Sequence, residues 1–294
     1  MLIALIAIAT CSFDQAWIRA KTNAYTWTVC DHAACKFKDL ERLKASLIPT
    51  HQLIHYLTTI HSLQEETVSG YTDDNYDPRK GDNAHCYTPI RDQEDCGSCW
   101  AFATATVLSD RYCLLASTSV ILSPQDLVSC DTILNKGCDG GNPVAAWEYC
   151  ALTGIVSDDC YPYVSGNGTT GSCAIKGGKC TTSAAYKKYK SGQPKLLRDR
   201  ESIKVNLKKG PVEATMMVYD DFPNYENGIY IRQSDTLLGG HAVRMIGYGY
   251  DTKTSLNYWI VANSWGTDWG QEGFFNIKMG ECSIDAACTY ANPK

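Results

Sequence analysis

The spacing of apolar positions changes along the chain. In residues 36–47 they recur every three or four positions, at Phe37, Leu40, Leu43 and Leu47, which predicts a short amphipathic helix. Residues 98–115 are largely apolar, with no Gly or Pro after Gly97, and predict a long buried helix. Ser123-Pro124-Gln125-Asp126 predicts the start of another: Ser as cap, Pro in the first helical position, an acid in the first turn. Residues 145–152 predict a third. From Tyr186 onward the texture is that of strands, at 212–218, 241–248, 258–262 and 274–279, with Gly and Asn between them. Helices followed by strands, without an internal repeat, predict an α+β chain whose strands form a barrel or a sandwich. Residues 70–84 are rich in Gly, Asp and Asn and predict an exposed linker open to proteolytic nicking.

Composition narrows the setting. The chain has 294 residues, 44% hydrophobic and 20% charged, which is ordinary globular material. It carries 15 cysteines, a density that fits an oxidising secretory route. The start agrees: Leu2 to Ala9 is apolar and is followed by the small-residue site Ala9-Thr10-Cys11, so residues 1–12 read as a signal peptide. No apolar run reaches the roughly 18–20 residues a membrane span needs, so no membrane anchor is expected. The net charge is −5, and the excess of acid lies beyond residue 71, which argues against a nucleic-acid partner.

Candidate chemistry centres on Gln93-Glu94-Asp95-Cys96-Gly97-Ser98-Cys99-Trp100-Ala101-Phe102. Cys96 and Cys99 have the C-x-x-C spacing of a redox dithiol or half a zinc site. A zinc site wants a second ligand pair, and a redox motif wants a βαβ context; neither is found. Trp100 directly after Cys99 instead completes the C-G-[SA]-C-[WY] pattern of a nucleophilic cysteine. At the start of the long helix, unsatisfied N–H groups and the helix dipole would favour a Cys99 thiolate.

A nucleophilic thiol needs a base, and His241 is the one His that follows Cys99. It opens an apolar strand after Gly239-Gly240, where a lone His could equally be a satisfied core residue. Asn263, in Ala262-Asn263-Ser264-Trp265-Gly266, can accept the His Nδ1–H and hold the tautomer. Gln93 can offer a side-chain N–H that, with the backbone N–H of Cys99, would form an oxyanion hole.

With these residues the chain resembles a papain-family cysteine peptidase of the cathepsin B type. The resemblance runs from about Trp27 to the C-terminus through Pro89-Ile90-Arg91-Asp92-Gln93, Gly210-Pro211-Val212-Glu213, Gly239-Gly240-His241-Ala242-Val243-Arg244 and Trp265-Gly266-Thr267-Asp268-Trp269-Gly270. It implies a papain-like two-domain fold, helical on the left and barrel-like on the right, with the active site in the cleft between. It also implies a prosegment at 13–71, marked by Trp27 and the Phe37/Leu40/Leu43 helix, a catalytic domain at 72–294, and processing near 66–75. By resemblance, Asp139, Gly140, Gly141, Pro143, Gly240, Trp265 and Ala287 line the substrate site. Implied partners are protein and peptide substrates, the chain's own prosegment as inhibitor, and cystatin-type inhibitors; no cofactor or metal is implied. The resemblance pairs Cys86–Cys113, Cys96–Cys138, Cys130–Cys173 and Cys160–Cys180, and leaves the states of Cys150, Cys282 and Cys288 open. Asn167-Gly168-Thr169 is a glycosylation sequon.

Two departures from cathepsin B bear on specificity. The stretch 160–173 holds neither the inner cysteine pair nor the histidines of that family's occluding insertion, which implies an open cleft and endopeptidase action. Ala287 stands where cathepsin B keeps an acid in the P2 pocket, which implies apolar P2 residues; Asp285 is expected to point elsewhere. Other readings are a catalytically silent papain-like binding protein and a Cys96/Cys99 oxidoreductase.

Overall fold

The computed structural model describes residues 26–30, 36, 40–70 and 73–294. The signal peptide expected at 1–12 and Phe37 of the first predicted helix lie outside the described residues.

Two cores explain the layout. In the first, helix α3 (Cys99–Ala116) packs against α4 (Pro124–Cys130) and α5 (Pro143–Leu152), burying Trp100, Leu108, Leu127 and Trp147. Helix starts follow the local chemistry: Ser123 Oγ accepts from Asp126 N at 3.1 Å, and Asn142 Oδ1 accepts from Val144 N at 2.9 Å. The second core lies under a sheet of β4 (Val212–Tyr219), β5 (Tyr225–Tyr230), β6 (Leu237–Asp251), β7 (Leu256–Ala262), β8 (Phe274–Lys278) and β9 (Cys288–Tyr290). There Val212, Ala214, Met216 and Val218 of β4 meet Val243, Met245, Trp259 and Phe275.

Helix α3 is buried on all sides from Cys99 to Tyr112 because β6 covers the face that the other helices leave. The halves are clamped by a buried ion pair: Arg244 of β6 donates to Asp110 Oδ2 at 2.6 Å and to the Thr88 carbonyl at 2.8 Å. Arg111 adds bonds from α3 to the Pro211 and Gly210 carbonyls, at 2.8 and 3.1 Å. Losing one partner of such a buried pair costs about 3–5 kcal/mol.

The N-terminal segment occupies both edges of the sheet. Strand β1 (Trp27–Val29) pairs antiparallel with β5, and β2 (Gln64–Glu65) pairs parallel with β3 (Lys195–Leu197), which itself pairs with β9. The strand order is β1-β5-β8-β7-β6-β4-β9-β3-β2, so the unpaired edges that a sheet would otherwise expose are covered. Trp27 is buried among Tyr225 and Tyr230, and its indole N–H donates to the Ile231 carbonyl at 3.0 Å. Between these strands, α1 (Leu40–Ala45) and α2 (Thr50–Ile60) cross the cleft.

Two expectations change. The segment after residue 70 is not a free linker throughout: Tyr76 exchanges two backbone hydrogen bonds with Tyr248, at 2.8 and 2.9 Å, and Pro78 is buried. The strand-rich half also contains an unforeseen helix, α6 (Arg200–Leu207), capped by Asp199. Its polar surface hides the short apolar stripe, Ile203 and Leu207, that enters the core.

Disulfides join Cys86–Cys113, Cys96–Cys138, Cys130–Cys173 and Cys160–Cys180, and Cys30 is disulfide-bonded as well. Cys99, Cys150, Cys282 and Cys288 are free thiols. Cys282 and Cys288 therefore close no loop.

Candidate active site

Cys99 is the first residue of α3, and the turn before it is held from two sides. The Cys96–Cys138 bridge fixes one end, and Gly97 N donates to the Cys138 carbonyl at 2.9 Å. A Cβ on Gly97 would lie 2.4 Å from that carbonyl oxygen, so only glycine allows the approach. From the other wall, Ala242, the residue after His241, packs on Cys99, and its backbone N–H faces the thiol.

His241 is fully buried, and its ring stacks on Trp265 with centroids 4.7 Å apart. Its Nε2 lies 2.6 Å from Asn263 Oδ1. The sequence-based expectation had Nδ1 in that role. With the ring laid on Trp265, the outer nitrogen reaches Asn263, while Nδ1 is buried without a hydrogen-bond partner among the described residues. Asn263 Oδ1 also accepts from Ser264 N at 2.8 Å, which marks it as the oxygen. Nε2 must then carry the proton, and Nδ1 is left as a bare acceptor.

Gln93 is locked in place as well. Its Oε1 accepts from Ser264 Oγ at 2.7 Å, and its Nε2 donates to the carbonyls of Cys96, at 2.9 Å, and of Ser46, at 2.7 Å. Ser46 belongs to the N-terminal segment, so Gln93 already holds a peptide carbonyl from outside its own half. Two residues on, Ile48 makes an antiparallel bridge to Gly240, with both backbone bonds at 2.8–2.9 Å.

Electrostatics follow from this cover. Burial, chiefly, pushes the Cys99 thiol up to about 12, against which the backbone N–H groups of Ala242 and Trp100 act only in part. Burial likewise lowers His241 to about 4, although Asn263 favours its charged form. Burial thus opposes the thiolate expected from the helix start.

The expected substrate residues fall into two sets. The Asp139 carbonyl accepts from Gln52 Nε2 at 2.8 Å, Gly140 lies under Pro49 and Gln52, Gly240 under Leu53, and Ala287 packs with Tyr56 and Ile60. The Trp265 carbonyl takes the Lys36 ammonium, which also pairs with Asp92. Gly141 is instead pressed on the Trp100 indole, and Pro143 starts α5. Asp285 points away, bonded to Arg200 at 2.8 Å and to the Trp259 indole at 3.1 Å. Ser264 and Ser46 escaped the sequence reading. Ser264 stands beside Asn263, but its bond to Gln93 joins segments far apart in the chain.

This arrangement can be set against known proteins. The family model described as papain family cysteine protease matches residues 72–292. The chain belongs to the papain family of cysteine proteases. Cathepsin B-like cysteine proteinase 4 of Caenorhabditis elegans is 35% identical over 292 residues, covering 87% of this chain and 85% of the relative. Cathepsin B-like CP3 of Giardia intestinalis is 39% identical over 222 residues, 72% of each chain. Procathepsin B S9 from Trypanosoma congolense has the same fold with a TM-score of 0.85 and 29% identity, covering 95% of this chain and 98% of that one. The protease is therefore cathepsin B-like, with a papain-like α+β fold, and its structural neighbour is a proform. No helix among the described residues is long and apolar enough to cross a membrane.

Proposed function

We propose that the chain is the zymogen of a cysteine endopeptidase, with Cys99 as nucleophile, His241 as general base and acid, Asn263 as its orienter and Gln93 as oxyanion donor. The single observation that carries this reading is the Ser46 carbonyl held by Gln93 Nε2 beside the buried Cys99. A substrate carbonyl in its place would stand before the thiol with one donor already aimed at it.

The chemistry then follows. Nδ1 of His241 takes the thiol proton once the cover is gone, and the Cys99 thiolate of the resulting ion pair attacks the carbonyl carbon; Gln93 Nε2 and the Cys99 backbone N–H receive the oxyanion. The C–N bond breaks, and the imidazolium gives its proton to the leaving amine. A water deprotonated by the same nitrogen hydrolyses the thioester and frees Cys99. Asn263 keeps the proton on Nε2 throughout, so Nδ1 alone shuttles.

Residues 1–12 would be removed as signal peptide and 13–71 as inhibitory prosegment, leaving 72–294 as the mature protease in a lysosome-like vesicle or outside the cell. The prosegment is pinned as far as Val68, whose N–H donates to Ser202 Oγ at 2.7 Å, whereas residues 73–75 are exposed. Cleavage is expected between these two points. Asp139, Gly140, Gly141, Pro143 and Gly240 would guide substrate backbone, Trp265 would support His241, and Ala287 would keep the P2 pocket free of an acid at that position. The stretch 160–173 folds back compactly, with the Gly166 carbonyl accepting from Asp95 N at 3.0 Å, and this favours an open cleft.

Labelling of the processed protein with a peptidyl epoxide, followed by mapping, tests the reading. Stoichiometric modification of Cys99 with loss of peptide hydrolysis is expected. Hydrolysis that survives labelling, or label confined to another cysteine, would overturn it. A protein that neither labels nor hydrolyses would be the silent binding protein. Mass spectrometry of products tests endopeptidase action, which dominant dipeptide release from free C-termini would refute.

A further inference from the structure

Alternation along β4 divides its side chains between two surroundings. Val212, Ala214, Met216 and Val218 enter the core, so Glu213 and Thr215 face the other way, Glu213 toward Thr104 of α3 and Thr215 toward Tyr56 of α2. Across the ladder Glu213 pairs with Thr289 of β9, and the same register continued sets Ala287 opposite Thr215. The floor below Ala287 is therefore a polar patch built from two strands.

Its polar atoms are incompletely used. Thr104 donates to Glu213 Oε2 at 3.0 Å and the Trp147 indole N–H lies against the same carboxyl, whereas Thr215 Oγ1 meets only the Tyr56 hydroxyl and Thr289 Oγ1 is buried with no hydrogen-bond partner among the described residues. Buried polar atoms without partners are costly, so the Thr215 and Thr289 hydroxyls beside the Glu213 carboxyl point to a ligand group that completes them. The zymogen shows what kind. Tyr56 of α2 is 4% exposed, packs with Ala287 and Val144, and directs its hydroxyl toward Thr215 within the field of Glu213.

We propose that the P2 pocket of the mature protease selects an aromatic side chain with a hydrogen-bonding tip, tyrosine over phenylalanine or leucine, and that Glu213, Thr215 and Thr289 read the tip. This rests on the catalytic reading above and refines its apolar P2 pocket: apolar walls, polar floor. Burial pushes the Glu213 carboxyl up to about 8, so in acid it is protonated and can either donate to a phenol oxygen or accept from it. Arginine suits the floor poorly. It would require Glu213 to ionise, and it would enter near Arg198, whose charge already acts on the Tyr56 hydroxyl.

The test uses mature protease whose active sites have been counted by epoxide titration, and four peptide reporters differing only in Tyr, Phe, Leu or Arg at P2. The expected result is kcat/KM for Tyr about tenfold above that for Phe, a hydrogen bond's share of selectivity. Thr215→Val should bring the Tyr-to-Phe ratio toward one, and Thr215→Ser should restore it, which a merely structural role would not do. Titrated enzyme that cuts Phe as fast as Tyr, or Arg fastest, would overturn the inference while leaving the catalytic reading intact. An inert protein that takes no epoxide would reject both. Should the pocket variants not fold, Tyr56→Phe in the intact zymogen serves instead: it should speed epoxide labelling of Cys99 about tenfold, and an unchanged rate would count against the polar floor.

Discussion

Cys99 and Cys150 are both fully buried thiols, and burial raises both. The cover differs. Cys150 sits on α5 in a core shared with α3 and α4, which belongs to the fold itself. Cys99 lies beneath Ile48 and Leu53 of the prosegment, together with Ala103 and Ala242. One thiol is covered by the fold's own helices, and the other by a segment from the N-terminal part of the chain. Desolvation alone does not mark a structural cysteine; the identity of the desolvating group does.

Removal of the prosegment should separate the two thiols most. Epoxide labelling of Cys99 should rise on the order of a thousandfold from zymogen to mature protein, while Cys150 stays unlabelled in both. Peptide mapping by mass spectrometry would show it, and equal labelling of Cys99 in both forms would break the comparison. The pH dependence has a definite sign. With His241 at about 4 and Cys99 at about 12, the covered pair is neutral between those values. The thiolate fraction of the zymogen should then grow about tenfold per pH unit, so its slow alkylation climbs steadily with pH. In the mature enzyme a thiolate–imidazolium pair would hold the rate nearly level.

Gln93→Ala sharpens the contrast from the catalytic side. Loss of one oxyanion donor should lower kcat by about 10²–10³ with little change in KM. The same substitution releases the Ser46 carbonyl, so zymogen labelling at Cys99 should rise. A fall in kcat with unchanged zymogen labelling would mean that Gln93 does not help to hold the cover.

The smallest effect is expected at the core thiol. Cys150→Ala should cost about 1–2 kcal/mol of stability by denaturant unfolding. It should leave the labelling rate of Cys99 as it was. A change in that rate would mean that the two surroundings are mechanically joined.

Much of the site was legible in the linear sequence. His241 is hydrogen-bonded to Asn263, Gln93 to the adjoining Ser264, and Ala242 beside His241 packs on Cys99, while the helix start at Ser123 follows from its own side chain. The disulfides came from family likeness, since cysteine spacing alone allows many pairings. The nitrogen that faces Asn263 was misread, because it depends on the stacking of His241 on Trp265. The floor of the P2 pocket was invisible for a similar reason. Ala287 alone suggests an apolar pocket; only the pairing of β4 with β9 sets Glu213, Thr215 and Thr289 around it.

By itself the sequence determined the chemical repertoire and the local elements: a cysteine at a helix start, a histidine on a strand, helices first and strands after. Those depend on neighbours three or four positions away, or two along a strand, and short-range patterns carry them. Tertiary structure decided the burial that shifts Cys99 and His241, the nitrogen that faces Asn263 and the residues set around Ala287. Desolvation and strand register are set by residues distant in the chain, and for Cys99 by a prosegment that the mature protease would no longer contain.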